Sequence, residues 1–264
     1  MMRNPRLTVV TVSYNTYNCI EKTIQSVINQ TYLNVEYLII DGGSTDGTQQ
    51  IIERYRDWIA YYVSERDKGL YDGMNKAIAA ATGDYLLFMN ADDVFASDDV
   101  LTEIARFIME NPDADVVYGN SAQVLEYGTY EIKPQVAYIN HKMAISHQAT
   151  FVKLSLLREH PFDLRYRYAA DFEQLSSLYL AGYAFKYIDC LVARVEMTGG
   201  TTYNHYIDSV NELYDIIESR GVDVSDERRS MILRKRIVRT FRQCLPKCIT
   251  NPVFRFLAKH YKVL

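Results

Sequence analysis

The run Gly83-Asp84-Tyr85-Leu86-Leu87-Phe88-Met89-Asn90-Ala91-Asp92-Asp93 passes from apolar to acidic within a few residues. Tyr85 to Met89 shows no polar alternation, the pattern of a strand buried on both faces of a parallel sheet. It stops on an amide and two carboxylates. Oxygen ligands clustered at the carboxyl edge of such a strand suit a hard divalent cation such as Mg2+ or Mn2+, and that ion in turn suits a diphosphate. Read alone, Asp92 or Asp93 could equally cap the helix that follows.

The same alternation of apolar strand and polar stop recurs upstream. Leu7 to Thr11, continuing through Val12, stops at Ser13-Tyr14-Asn15. Val35 to Ile40 stops at Asp41-Gly42-Gly43-Ser44-Thr45-Asp46-Gly47-Thr48, and Ile59 to Val63 stops at Glu65-Arg66-Asp67-Lys68-Gly69. Helical patterns lie between. In the first, Asn18 and Glu21 have capping-box spacing, and Ile20, Ile24, Val27 and Ile28 share a face. The second carries Ile51, Ile52 and Tyr55, and the third runs from Tyr71 to Ala81. Residues 7–93 thus read β-α-β-α-β-α-β, a parallel sheet with right-handed crossovers. Every polar cluster falls on the carboxyl edge, where such sheets bind ligands. Asp41 can accept hydrogen bonds from a ribose or base, with glycines beside it allowing close approach, although Asp and Gly are also the usual residues of a tight turn. No Gly-x-Gly-x-x-Gly follows the first strand and no Gly-x-x-x-x-Gly-Lys-Ser/Thr occurs, which argues against dinucleotide enzymes and P-loop NTPases.

Downstream the pattern predicts a helix from Ser97 to Met109 opened by Ser97, a strand at Val116 to Tyr118, and a hairpin between Asn120 and Gln135 turning at Gly128-Thr129. Helices follow near Leu154–Arg158 and Phe172–Leu180. A β-like run from Phe185 to Val195 is interrupted near Asp189-Cys190, and a helix spans about His205 to Ser219.

The 264 residues are 48% apolar and 23% charged, an ordinary globular composition. No apolar run reaches 18 residues, and the N-terminus enters a strand without a signal-like segment, so a cytoplasmic protein is expected. Cys19, Cys190, Cys244 and Cys248 are scattered and lack zinc spacing, and read as reduced thiols. Charge is uneven: residues 228–264 hold eleven Lys/Arg and no Asp/Glu, while the rest of the chain holds 18 basic and 33 acidic residues. On a helical wheel Met231, Leu233, Ile237, Val238, Phe241, Cys244 and Leu245 share one arc, with most of the Arg and Lys opposite. This basic amphipathic pattern fits contact with an anionic membrane surface, or a helix packed on its own domain. The acidic remainder argues against a nucleic-acid partner.

Four strings, Thr11-Val12-Ser13-Tyr14-Asn15, Asp41 to Thr48, Gly69-Leu70-Tyr71-Asp72-Gly73-Met74-Asn75-Lys76 and Gly83 to Asp93, stand in the order and spacing of bacterial family 2 glycosyltransferases, which the chain resembles over about residues 5–200. The resemblance implies an α/β, GT-A (Rossmann-like) fold, a mostly parallel sheet flanked by helices. Residues 1–203 would form the transferase domain, with 1–95 its nucleotide-binding half and 96–203 its acceptor-binding half; residues 204–264 would be a helical, basic C-terminal appendage. It implies that Thr11, Ser13 and Asn15 line the nucleotide pocket, that Asp41 reads the base, usually uracil, and that Asp67 and Asp72 approach the donor. Asn90-Ala91-Asp92 takes the place of the family's Asp-x-Asp, with Asn for the first Asp, leaving Asp92 and then Asp93 as metal contacts. Ala170-Asp171-Phe172-Glu173 matches the string that carries the catalytic base, which makes Asp171 that base; the family often has Glu where Ala170 stands. His147 and Gln148 could meet the acceptor or the diphosphate. Arg194 and the loop Thr198-Gly199-Gly200-Thr201-Thr202 lie where relatives have a segment that closes over the donor. The other histidines (His141, His160, His205, His260) read as surface or structural.

The implied activity is metal-dependent (Mn2+ or Mg2+) inverting transfer of a sugar from a nucleotide-diphosphate sugar, most simply a UDP-sugar, to a hydroxyl of a glycan or lipid-linked saccharide. The setting would be cell-surface polysaccharide assembly (capsule, exopolysaccharide or O-antigen) at the inner face of the membrane. Two rivals remain at this point: a sugar-phosphate nucleotidyltransferase, against which the absence of a Gly-rich, Arg-containing first loop argues, and a non-catalytic sugar-nucleotide-binding scaffold.

Overall fold

The computed structural model describes residues 4–197 and 205–233, together with Pro252. A nine-stranded sheet carries the fold. Its first part is parallel, in the order β3-β2-β1-β4: β1 (Leu7–Ser13), β2 (Val35–Asp41), β3 (Tyr61–Ser64) and β4 (Tyr85–Phe88). Helices α1 (Ile20–Ile28), α2 (Thr48–Glu53) and α3 (Leu70–Ala80) make the crossovers. Both faces are covered, and alternate residues of β1 feed opposite cores. Leu7 and Val9 pack with Ile24, Ile39 and Leu87. Val10 and Val12 pack with Leu38, Met74 and Leu86 on the other face. A strand buried on both sides has no solvent face to make polar, hence the unbroken apolar runs.

After β4 the sheet becomes mixed. Short β5 (Val94–Phe95) precedes α4 (Val100–Glu110), β6 (Val116–Leu125), β7 (Gly128–Ile132), β8 (Thr150–Lys153), α5 (Leu154–Glu159), α6 (Ala170–Leu180) and β9 (Phe185–Glu196). Strand β8 is antiparallel to β4 and β6, β9 runs parallel to β6, and β5 closes the edge antiparallel to β9. The interruption expected near Asp189-Cys190 is a bulge: Tyr118 faces Tyr187, but Asn120 faces Leu191. Strand β6 runs unbroken from Val116 to Leu125, and its hairpin turns just before Gly128.

Two expected caps do not form, because tertiary partners take over. Helix α1 begins at Ile20 with no side-chain cap. The Thr16 carbonyl receives the N–H groups of Cys19 (3.0 Å) and Ile20 (2.9 Å), and Glu21 instead accepts the Tyr55 hydroxyl at 2.7 Å. Helix α4 starts at Val100 rather than Ser97. Gln30, from the end of α1, accepts the Leu101 N–H at 3.0 Å and donates to the Ser97 carbonyl at 2.7 Å.

The last described helix, α7 (Tyr206–Ser219), packs Tyr214, Ile216 and Ile217 against Ala169 and Phe172 at the start of α6. Arg228, the first basic residue of the tail, donates to Asn211, Asp215 and Glu218 and so folds onto this helix. The remaining basic tail from 234 and the 198–202 loop lie outside the described residues. Among the described residues no helix is long and apolar enough to cross a membrane.

Candidate active site

The loops after β1, β2, β3 and β4 meet along one edge of the sheet, and Asp41 ties three of them together. Its carboxylate is fully buried. One oxygen accepts the Ser13 hydroxyl at 3.0 Å and the Ser44 hydroxyl. The other accepts the Ser44 N–H at 2.8 Å and the Ser64 hydroxyl at 2.6 Å. With four donors in place Asp41 shapes the pocket wall; in this structure it offers no open oxygen to a base. Asn15, with φ of 52°, links the first two loops: its N–H donates to Ser44 Oγ at 2.7 Å, and its side-chain oxygen accepts the Thr45 N–H at 3.0 Å.

Thr11 is a correction to the expected pocket lining. It is completely buried, donates to the Met89 carbonyl at 2.8 Å and pairs with the Tyr37 hydroxyl at 2.9 Å, so it serves the core beneath the pocket. Asp67 does reach the site. Its Oδ1 accepts the Gly69 N–H at 2.9 Å, and its Oδ2 lies 2.7 Å from where a Cβ on Gly42 would stand. Only glycine at 42 leaves that carboxylate its place. Asp72, in the first turn of α3, accepts the Lys68 N–H at 3.0 Å. Tyr14, not singled out by sequence, leaves its ring 63% exposed beside Gly42, an open aromatic face at the pocket mouth.

At the end of β4, Asn90 to Asp93 form a turn closed by the Asp93 N–H on the Asn90 carbonyl, 3.1 Å. Asp92 has φ of 93°, a left-handed conformation uncommon outside glycine. Thr23 of α1 holds this strained turn from both sides, accepting the Asp92 N–H at 3.0 Å and donating to the Asp93 carbonyl at 2.8 Å. The Asp92 carboxylate stays partly exposed and pairs with Lys22.

Asp93, the second expected metal contact, differs from its neighbour in burial. It is 5% exposed. Oδ1 accepts the Glu196 N–H at 3.0 Å and Oδ2 accepts the Gln148 amide at 3.1 Å. Burial pushes its carboxyl up to about 6, against the lowering effect of those two donors. Asp93 is therefore the bolt between the β4 turn and the end of β9, and Gln148 is its partner.

Asp171 sits in the first turn of α6, 6% exposed. Tyr71 of α3 donates its hydroxyl to Oδ1 at 2.8 Å, and His147 Nδ1 lies 2.8 Å from Oδ2. Burial alone would raise this carboxyl; the hydrogen bonds from His147 and Tyr71 outweigh it and hold Asp171 below the ordinary carboxylate value, hence ionised at neutral pH. Each oxygen keeps a lone pair for a further proton donor. Behind the pair is a cavity of about 20 Å³, lined by Leu86, Phe88, Leu157 and Phe162. The other face of His147 meets Asn90, with Nε2 3.1 Å from the amide nitrogen. One imidazole thus connects Asp171 to the β4 turn.

Arg194 stands opposite Val94 in the β5–β9 pair, two residues beyond Asp92 in register, with its side chain exposed. Tyr71, Lys22, Thr23 and Glu212 are site residues that sequence reading missed. Glu212 of α7 accepts the N–H groups of Arg167 (2.9 Å), Tyr168 (2.6 Å) and Ala169 (3.1 Å), and so pins the loop that enters α6 and delivers Asp171. No local pattern marks these residues, since each partner lies tens of residues away.

The doubly covered sheet, with polar groups gathered on its carboxyl edge, has the architecture of the GT-A fold. Residues 8–162 match the model of glycosyl transferase family 2, and the chain belongs to that family. A glycosyltransferase of PGL/p-HBAD biosynthesis from Mycobacterium bovis is 31% identical over 180 residues, covering 65% of this chain and 69% of that protein. Among solved structures, S. aureus TarS in complex with UDP-GlcNAc superposes with a TM-score of 0.61 at 18% identity, covering 80% of this chain and 66% of that one. The mannosyltransferase PcManGT of Pyrobaculum calidifontis, in complex with GDP-Man and Mn2+, gives 0.66 at 19% identity, covering 84% and 65%. These two show a shared fold.

Proposed function

We propose that this glycosyltransferase moves a sugar from a nucleoside-diphosphate sugar to an acceptor hydroxyl with inversion, using Asp171 as the base. The observation that carries this reading is the buried, ionised Asp171 carboxylate joined through His147 to Asn90 at the carboxyl edge of β4. Asp171 takes the proton of the acceptor hydroxyl; the oxygen attacks the anomeric carbon from the face opposite the diphosphate; the bond to the diphosphate oxygen breaks and its electron pair leaves with the nucleotide. A positioned base of this kind is worth about 10²–10⁴-fold.

The nucleotide would sit in the edge formed by Asn15, Asp67 and Tyr14, above the wall built by Ser13 and Asp41. Related folds in complex with UDP-GlcNAc and with GDP-Man plus Mn2+ support a nucleotide-sugar donor; UDP is our first choice of nucleotide. A divalent cation fits the β4 turn in part: the Asn90 side-chain oxygen is buried with no partner among the described residues, and the Asp92 carboxylate is partly open. Two oxygen donors leave the remaining positions to water and diphosphate, the usual arrangement for Mg2+ or Mn2+. Bound there, the cation would offset negative charge on the departing diphosphate.

Asp171→Asn is the test. Nucleoside diphosphate release from UDP-N-acetylglucosamine and GDP-mannose should fall by about 10²-fold or more, with calorimetric binding of UDP and Mn2+ retained. Normal turnover in that variant would remove Asp171 from the base role, and turnover absent from the wild type with every donor would favour a non-catalytic scaffold. For setting, we propose a cytoplasmic enzyme docked on the inner membrane face through residues 228–264, acting in surface polysaccharide assembly on a glycan or lipid-linked acceptor. Deletion of 234–264 should abolish cosedimentation with anionic vesicles; unchanged sedimentation would defeat that part.

A further inference from the structure

We propose that Tyr71 is a positioning residue for Asp171, and that Asn75, one turn further along α3, keeps Tyr71 in place by clasping the backbone of Phe162. This rests on the base reading of Asp171 given above.

The string Gly69 to Lys76 brings two sets of residues to the start of α3. Asp67 and Asp72 fasten the loop at the pocket edge, Asp67 accepting the Gly69 N–H at 2.9 Å and Asp72 the Lys68 N–H at 3.0 Å. Tyr71 and Asn75, four residues apart, share a different face of the helix and reach the segment that leads into α6. Tyr71 is 5% exposed and donates its hydroxyl to Asp171 Oδ1 at 2.8 Å. An ionised carboxylate only accepts, so the direction of this bond is fixed. Burial and the charge of Asp171 push the Tyr71 hydroxyl well above its ordinary value, and it keeps its proton at neutral pH.

Asn75 supplies the support. Its amide nitrogen donates to the Phe162 carbonyl and its amide oxygen accepts the Phe162 N–H, both at 2.9 Å. A backbone carbonyl only accepts and a backbone N–H only donates, so the amide has one orientation here. The Phe162 ring packs on Tyr71 and on Phe88, with centroids 5.3 and 5.5 Å away. Gly73 sets the depth of the helix: a Cβ there would stand 2.8 Å from Val12 Cγ1, so glycine lets α3 lie this close to β1. The Phe162 backbone is thus tied to α3, its ring buttresses the Tyr71 ring, and the Tyr71 hydroxyl holds one oxygen of Asp171. With His147 on Oδ2, the carboxylate is gripped from two elements and its plane is set. The grip on Oδ1 comes from the helix that starts directly after the Asp67 loop, so the same turn of chain shapes the pocket edge and aims the base.

The test uses the full chain, nucleoside diphosphate release from UDP-N-acetylglucosamine and GDP-mannose, and urea unfolding to show that each variant is folded. Tyr71→Phe keeps the ring and its packing on Phe162 and deletes only the hydroxyl. It should lower kcat by about 10- to 100-fold, part of what a positioned base contributes, with the donor KM within about twofold. The acid limb of its kcat–pH profile should move to higher pH, because Asp171 loses a donor that lowers its carboxyl. The other titratable groups around this pair, His147 beside Asp171 and Glu212 near Tyr71, are untouched. Lower stability with kcat and its pH profile unchanged would make Tyr71 a structural tie only and overturn the proposal. Asn75→Ala leaves the hydroxyl in place and should lower kcat by about 3- to 10-fold, again with donor KM unchanged; normal kcat there would overturn the Asn75 link, and this variant carries the test if Tyr71→Phe does not fold. The double variant should be no slower than Tyr71→Phe, since Asn75 acts through the tyrosine hydroxyl; losses that multiply would show that it does not. If Asp171→Asn is inactive while folded Tyr71→Phe turns over normally, the positioning role fails and the base reading stands. An active Asp171→Asn, or a wild type inactive with every donor, removes the base reading and the role of Tyr71 with it.

Discussion

Asp93→Asn separates the two adjacent carboxylates of the β4 turn. The structure gives Asp93 a fastening role: both its oxygens are used, by the Glu196 N–H and the Gln148 amide, and burial lifts its carboxyl from 3.8 to about 6. At about 1.4 kcal/mol per pKa unit that displacement is worth about 3 kcal/mol between protonation states. Its sign is opposite to that of a salt-bridged carboxylate. Between roughly pH 4 and pH 6 the folded protein holds a proton that the unfolded chain has released. Stability therefore falls as pH rises through this window and levels off above it. Asparagine cannot ionise, so the variant lacks this slope, while its amide oxygen still accepts the Glu196 N–H. Any fixed cost of setting an amide against Gln148 cancels when the two proteins are compared across pH. Urea unfolding of both in metal-free buffer should show the wild-type advantage shrinking by about 2.4 kcal/mol from pH 4 to pH 7. Curves parallel to within about 0.5 kcal/mol would refute the account. In the same variant Mn2+ binding in the presence of UDP should survive if Asp93 serves only as a fastener; its loss would return Asp93 to the metal site.

Lys22→Met should raise the affinity for Mn2+ with UDP by up to about fivefold, because the ammonium now pairs with Asp92. Both groups are part-exposed, which limits the pair to about 0.2–1 kcal/mol; weaker binding in calorimetry would mean that Lys22 serves the diphosphate instead. Glu212→Gln replaces one of the carboxylate oxygens that accept three backbone N–H groups before α6. It should cost roughly 1–3 kcal/mol in urea unfolding and lower kcat with donor binding unchanged; unaltered kinetics would show that the α6 entry loop holds Asp171 without help from α7.

The parallel half of the sheet was legible because burial on both faces of β1, β2 and β4 writes itself into composition; only the edge strand β3 is partly exposed. The polar stops were legible for the same reason, since a buried strand must end where polar residues begin. Legibility fails at helix starts, where Gln30 rather than Ser97 serves the opening turn of α4, and in the mixed half, where β6 runs on through residues that alternate weakly. It fails again inside the clusters. Asp41, Asp92 and Asp93 are alike in sequence, each an acid at a strand end. The structure divides them by counting donors. Asp41 receives four and becomes a wall, Asp93 receives two while buried and becomes a bolt, and Asp92 keeps an open face toward Lys22.

The same accounting extends to the centre of the site. The Asn90 side-chain oxygen is buried with no hydrogen-bond partner among the described residues, while its amide nitrogen faces His147. His147 lies between the two sides, with Nδ1 2.8 Å from Asp171 Oδ2 and Nε2 3.1 Å from the Asn90 amide nitrogen, and its contact helps hold the almost fully buried acid at α6 ionised. The residue at which this chain departs from the Asp-x-Asp pattern is thus the one that meets the histidine joined to Asp171.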